Sequence, residues 1–260
     1  MNTTQAVLLK IDERGVAYLT LNRPEIHNAF DDHLIAEMLS TFQQVREAKA
    51  RVLVFGSAGK SFSAGADLSW MKRMASYSQA ENKKDAQELA RLMHELDTLP
   101  CPTICRVQGA AYGGAVGLAA CCDLVVATEK ARFCLSEVKI GLSPAVISPY
   151  VVRALGVRAM RRYALTAEVI GVEKAQQLGL VDEVVSEDSL DSQIEQLVAT
   201  LLGNSPKAVA ATKKLVAFVA DRPADATTQD YTTDLIAEIR VSDEGQEGLS
   251  AFFEKRTPNW

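Results

Sequence analysis

The chain has 260 residues, 48% of them hydrophobic, enough for a large buried core. Its 28 basic and 33 acidic residues give a net charge of −5 with no basic stripe, which excludes nucleic-acid binding driven by phosphate neutralisation. No apolar run approaches the ~18 residues needed to span a bilayer.

The first segment, "MNTTQAVLLKIDERG", carries no basic flank and no long apolar run, so no secretory leader is expected. "AVLLKIDERGVAYLTLN" predicts two strands joined by a turn at Glu13, Arg14 and Gly15. After "RPEIHNAF", Asp31 or Asp32 caps a helix whose apolar stripe is Leu34, Ile35, Met38, Leu39, Phe42 and Val45. "RVLVFG" predicts a short buried strand. A helix over 81–99 follows, with Leu89, Leu92, Met93 and Leu96 inward. "TICRVQG", "DLVVAT", "RFCLS" and "LVDEVV" (180–185) predict further strands. The short basic runs "NKKD" (82–85) and "VRAMRR" (157–162) fit solvated helix faces. From about 188 the periodicity is helical only, in "SLDSQIEQLVATLL", "SPKAVAATKKLVAFVA" and "TTDLIAEIRVSDEGQEGLSAFFEKR"; Ser205 and Pro206 open one of these helices. The expectation is a layered α/β core over 1–187 and a helical region over 188–260.

Five cysteines, Cys101, Cys105, Cys121, Cys122 and Cys134, lie in apolar surroundings. The odd count predicts reduced core thiols and a cytoplasmic location. No CxxC pair occurs and His27, His33 and His94 stand far apart, so no metal is expected.

Two segments of small residues stand out, "FSAGADLSW" (62–70) and "GAAYGGAVGL" (109–118), each opening into a helix. The second lacks the GxGxxG spacing of a dinucleotide turn, and neither ends in the Lys-Ser/Thr of a phosphate loop. Close packing explains either one alone. Together they suggest two backbone N–H groups that stabilise an oxyanion, each donor worth ~2.7–4 kcal/mol in a transition state.

The motifs "LNRPEIHNAF", "FSAGADL", "VQGAAYGGAVGL", "CDLVVATEKARFCLSEVKIGL", "ALTAEVIGVEKAQQLGLVDEVV" and "GLSAFFEKR" resemble, in order, those of the crotonase (enoyl-CoA hydratase/isomerase) superfamily. The resemblance covers essentially the whole chain. It implies an α/β spiral of repeated ββα units with a C-terminal helical trimerisation region, assembled as a homotrimer or dimer of trimers. It assigns the oxyanion donors to the N–H groups of Ala66 and Gly114, around a thioester carbonyl. It implies coenzyme A contacts from Ile26, His27 and Asn28, and from Ala64, Gly65, Ala66, Asp67 and Leu68. Lys255 matches a position near the nucleotide portion. Coenzyme A enters as part of the acyl-CoA substrate, and no separate cofactor, nucleic acid or membrane partner is implied.

Hydration of an enoyl thioester needs one group to take a proton from water and one to protonate C2. Hydratases of this superfamily typically use two glutamates. Glu137 in "RFCLSEVKIG" matches the second; at the first position this chain has Gly117. One glutamate is the pattern of many enoyl-CoA Δ3/Δ2 isomerases. A finer likeness, in "GADLSWMKRMA" and "FCLSEVKIGLSPAVISPYVVRALG", is to bacterial methylglutaconyl-CoA hydratases and to isohexenylglutaconyl-CoA hydratases. Their substrates carry a distal carboxylate, for which Lys72, Arg73 and Lys139 are candidate partners. The expected function is therefore an enoyl-CoA hydratase-type lyase acting on 3-methylglutaconyl-CoA in leucine degradation. An isomerase is the first alternative, and a non-catalytic acyl-CoA-binding or RNA-binding relative the second.

Overall fold

The computed structural model describes residues 5–260; residues 1–4, which open the segment for which no leader is expected, lie outside the described residues. Strands β1 (Val7–Ile11) and β2 (Val16–Leu21) pair antiparallel, Val7 opposite Leu21. Their turn forms as expected: Asp12 accepts from the N–H groups of Arg14 and Val16, both at 3.0 Å, and Gly15 takes a φ of 80°. Strands β3 (Val52–Ser57), β4 (Thr103–Val107), β6 (Leu124–Thr128) and β9 (Glu183–Val185) then add in parallel, giving the order β1-β2-β3-β4-β6-β9. A smaller sheet joins β5 (Ala110–Tyr112), β7 (Arg132–Cys134) and β8 (Ile170–Gly171) in the order β5-β7-β8.

Every residue of β3 is buried because both faces of the large sheet are covered. On one face, helices α1 (Asp32–Glu47), α3 (Gln79–Asp97), α4 (Gly114–Cys121) and α5 (Ser148–Thr166) enclose the main core. On the other, α7 (Leu190–Leu202) lays Leu190, Ile194 and Val198 on Val16, Val52, Val54, Ile104 and Val126. Helices α8 (Pro206–Val219), α9 (Ala226–Val241) and α10 (Asp243–Glu254) follow.

Most expected elements are present, with shifts that have local causes. Asp31, not Asp32, caps α1, accepting from Leu34 N–H at 2.9 Å. Helix α3 starts at Gln79 because Ser78 and Glu81 form a reciprocal capping box. The strand expected over 180–185 shrinks to Glu183–Val185, since the Asp182 carboxylate caps Val125 N–H at 2.6 Å while Leu180 and Val181 turn into the core. The single helix expected over the last segment breaks at Ser242. That residue turns extended (ψ 156°), and its hydroxyl accepts from Gly245 N–H to start α10. Ser205 caps α8 as expected. The sequence signals do not delimit helices α5 and α6 (Val172–Leu178); in α5, Gly156 (φ 76°, ψ 155°) interrupts the helical period.

Candidate active site

Three loops converge at the ends of the strands. The first follows β2, where the 3₁₀ turn Pro24–Ile26 leads into His27 and Asn28, both left-handed with φ of 55° and 53°. Fully buried Asn28 holds this shape: its amide donates to the carbonyls of Ala58 (2.8 Å) and Ser61 (3.0 Å), and its Oδ1 accepts from Arg23 N–H. The Asn28 side chain is thus spent on the turn, and what the turn offers a ligand is shape and main chain.

The second loop carries Ala64, Gly65, Ala66 and Asp67 into the short helix α2 (Leu68–Met74). Ala64 N–H donates to His27 O at 2.9 Å, and His27 Nδ1 lies 3.1 Å from Ser61 Oγ, which fastens this loop to the first. Buried Ser63 exchanges main-chain bonds with Ala110 and Tyr112, both 3.0 Å, and its hydroxyl donates to Asn28 O. A Cβ on Gly65 would stand 2.7 Å from Tyr112 O, and its φ is 87°, so only glycine permits this approach. Asp67 caps α2, accepting from Ser69 and Trp70 N–H.

The third loop runs from β5 through Gly113 (φ 55°, ψ −126°) into α4. Gly113 N–H donates to Cys134 O at 2.8 Å, tying it to the end of β7, beyond which the 3₁₀ turn Glu137–Ile140 begins. The Glu137 carboxylate thereby lies against Gly113: a Cβ there would stand 3.3 Å from Oε1. Oε2 is buried with no hydrogen-bond partner, and burial pushes the carboxyl above its ordinary 4.5. Among the described residues, neither Ala66 N–H nor Gly114 N–H donates to another group of the protein. Two unpaired donors beside a destabilised carboxylate can hold a developing oxyanion and move a proton.

Of the other expected residues, exposed Leu68 continues the second loop into α2. Exposed Lys255 caps the C-terminus of α10, which packs on α8 and α9. Arg73 pairs with Asp32, whereas Lys72 on α2 and Lys139 in the Glu137 turn are exposed and make no ion pair among the described residues. At Gly117 a Cβ would stand 2.3 Å from Ile147 Cγ2 and 3.3 Å from Met93 Sδ. That position is sealed by apolar side chains from α3 and the residue before α5. Sequence reasoning missed Ile147 and Met93 here, because nothing local signals a contact made across the fold.

All five cysteines are free thiols, four of them buried, and burial lifts the Cys101 thiol to about 11. Among the described residues no cluster of three His, Cys, Asp or Glu side chains is placed to hold a metal ion, and no helix is long and apolar enough to cross a membrane. Two surface cavities, about 750 Å³ beside Lys60 and Arg132 and about 460 Å³ beside Arg106, include none of Ala66, Gly114 and Glu137.

Two unsatisfied N–H groups and one half-buried carboxylate on these loops make a site of the kind that holds an oxyanion and moves a proton. The profile of the enoyl-CoA hydratase/isomerase family matches residues 12–260, and the chain belongs to that family. The chain is similar to the crystal structure of an enoyl-CoA hydratase from Shewanella pealeana, at 48% identity and a TM-score of 0.95, over 99% of this chain and 97% of that one. It is 31% identical to the 2,3-dehydroadipyl-CoA hydratase of Escherichia coli, over 95% of this chain and 96% of that protein. It is 28% identical to the trans-2-decenoyl-[acyl-carrier-protein] isomerase of Streptococcus mutans, over 98% and 97%.

Proposed function

We propose that the chain is a hydro-lyase that adds water across the double bond of an α,β-unsaturated acyl-CoA, with 3-methylglutaconyl-CoA of leucine breakdown as substrate. The observation that carries this reading is the Glu137 carboxylate, half-buried and unpaired at Oε2 against Gly113, one residue before the free N–H of Gly114. The thioester carbonyl accepts from Ala66 and Gly114. Glu137 takes a proton from water as the oxygen adds to C3, and the electron pair of the double bond moves to the carbonyl oxygen. The carboxylic acid so formed protonates C2 of the enolate, returning Glu137 to its anion. One proton and one hydroxyl are added, and the enzyme is unchanged.

Lys72 and Lys139 are the unpaired cations from which a distal substrate carboxylate draws its partner. The E. coli relative named for dehydroadipyl-CoA, itself a thioester with a distal carboxylate, favours such a substrate. Coenzyme A enters as part of the substrate, along the His27 turn and the Ala64 loop. The enzyme works in the cytoplasm, as a trimer or dimer of trimers built through the helical region 188–260.

A second reading has its own observation. Gly117 is sealed by Ile147, so no second carboxylate has room there. A single base that shuttles a proton between carbons makes a Δ3/Δ2 isomerase, the activity for which the S. mutans relative is named. A relative that only binds acyl-CoA or RNA is disfavoured by the raised, unpaired Glu137 and by the acidic charge balance. Incubating the purified protein with a panel of enoyl-CoAs and identifying the products separates the three. Hydroxyacyl-CoA supports hydration, a shifted double bond replaces it with isomerisation, and unaltered thioesters remove both.

A further inference from the structure

Phe30 touches both donor loops at once. Its N–H donates to Gly65 O at 2.9 Å and its C=O accepts from Asp67 N–H at 3.0 Å, forming a parallel bridge with the intervening Ala66. In a parallel ladder, bonds to the residues on either side turn the middle residue's own N–H away. Ala66 N–H is therefore left free by its pairing with Phe30. The Phe30 side chain serves the other loop: Cζ lies 2.4 Å, and Cε2 3.2 Å, from where a Cβ on Gly114 would stand. The ring is buried, with Trp70 beside it at a centroid distance of 6.3 Å and a 55° tilt. The Trp70 indole N–H in turn donates to Asp85 at 3.2 Å, linking α2 to α3.

We infer that Phe30 is a positioning residue that sets the separation of the Ala66 and Gly114 donors, its main chain fixing one and its ring fixing the other. The inference rests on the oxyanion reading given above. Donors act when they lie within about 2.7–3.1 Å of the oxyanion, and a displacement of about 1 Å costs roughly 10²-fold in rate. Trimming the ring frees Gly114 to drift toward it while leaving the loops that embrace coenzyme A in place. The size of residue 30 therefore governs kcat rather than KM.

The test uses Phe30→Ala and the milder Phe30→Leu. Turnover is measured on the enoyl-CoA found active in the panel. Carbonyl polarisation is read by isotope-edited infrared spectroscopy of bound [1-¹³C]crotonyl-CoA in a Glu137→Gln background, with binding followed by titration. The expected result is a kcat lower by about 10²-fold for Phe30→Ala, a KM within a few-fold, and a smaller downshift of the carbonyl stretch. Phe30→Leu should fall between and decides the matter if the alanine variant does not fold. Gly114→Ala should be impaired by collision with the ring and partly rescued by adding Phe30→Leu. A full carbonyl shift and full kcat in folded Phe30 variants overturn the positioning role alone. A bound thioester whose carbonyl is not shifted even with Phe30 intact overturns the oxyanion reading beneath it.

Discussion

Glu137 occupies a position that costs the fold something and, in the proposed reaction, gives the site its reactivity. Its carboxyl is raised above 4.5 by burial, so the folded chain binds its proton more tightly than the unfolded chain does. The stability this proton lends is complete below 4.5 and is lost as pH rises through the folded value. Glu137→Gln is therefore expected to melt at or above the wild-type temperature at neutral pH, with the difference vanishing toward acid. Its turnover should fall by about 10²–10⁴-fold with acyl-CoA binding retained. Thermal melts across pH and steady-state kinetics check both, and a variant less stable at pH 7 would contradict the burial argument. The acidic limb of the wild-type kcat/KM profile should correspondingly lie above 4.5. At Gly117, overpacking against Ile147 should destabilise Gly117→Ala by about 1–3 kcal/mol, measured by urea unfolding. Ile147→Ala added to it should recover part of that loss; no recovery would show that the contact is not the cause. Glu137 stands out in the sequence as the candidate base because its surrounding motif is local. The apolar plug at Gly117 was not, because Ile147 arrives from 30 positions further along the chain.

At the scale of elements, legibility followed the strength of local signals. The β1–β2 hairpin, the α1 stripe and the Ser205 start of α8 each rest on residues within one turn of each other, and each stands as expected. Helix α5 was obscured by Gly156, whose positive φ breaks the period between Leu155 and Met160. The last segment carries helical spacing throughout, yet Ser242 divides it, and a Cβ on Gly245 would stand 2.1 Å from Ile239 O. Periodicity does not register a corner that depends on one hydroxyl and one glycine. Ser242→Ala is expected to cost about 0.5–2 kcal/mol through loss of the cap, with early amide exchange confined to the start of α10. Unchanged exchange there would place the corner's stability elsewhere. The two small-residue segments were legible as helix openings. Their meeting was not, since it depends on a Gly65 approach to Tyr112 O that only the fold creates.

For the whole molecule, the C-terminal helices leave Val216, Ile236, Val241, Leu249, Phe252 and Phe253 exposed, with Val241, Phe252 and Phe253 each at least 75% open. The three-fold assembly proposed above would take these side chains out of water. Phe252→Asp with Phe253→Asp should shift sedimentation from trimer toward monomer at micromolar concentration; a wild-type monomer would contradict the assembly. The fold class was legible because six motifs in order span the chain, whereas the acyl group depends on side-chain placements that those motifs do not encode. In the proposed reaction Glu137, with carbonyl polarisation by Ala66 and Gly114, adds water across an enoyl thioester. The direct test is mass spectrometry of 3-methylglutaconyl-CoA turned over in H₂¹⁸O and, separately, in D₂O. The expected product is a hydroxyacyl-CoA with ¹⁸O at C3 and one deuterium at C2, its formation slowed by at least about 10²-fold in Glu137→Gln. A product with a moved double bond and no ¹⁸O, or labelled product formed at wild-type rate by Glu137→Gln, would contradict it.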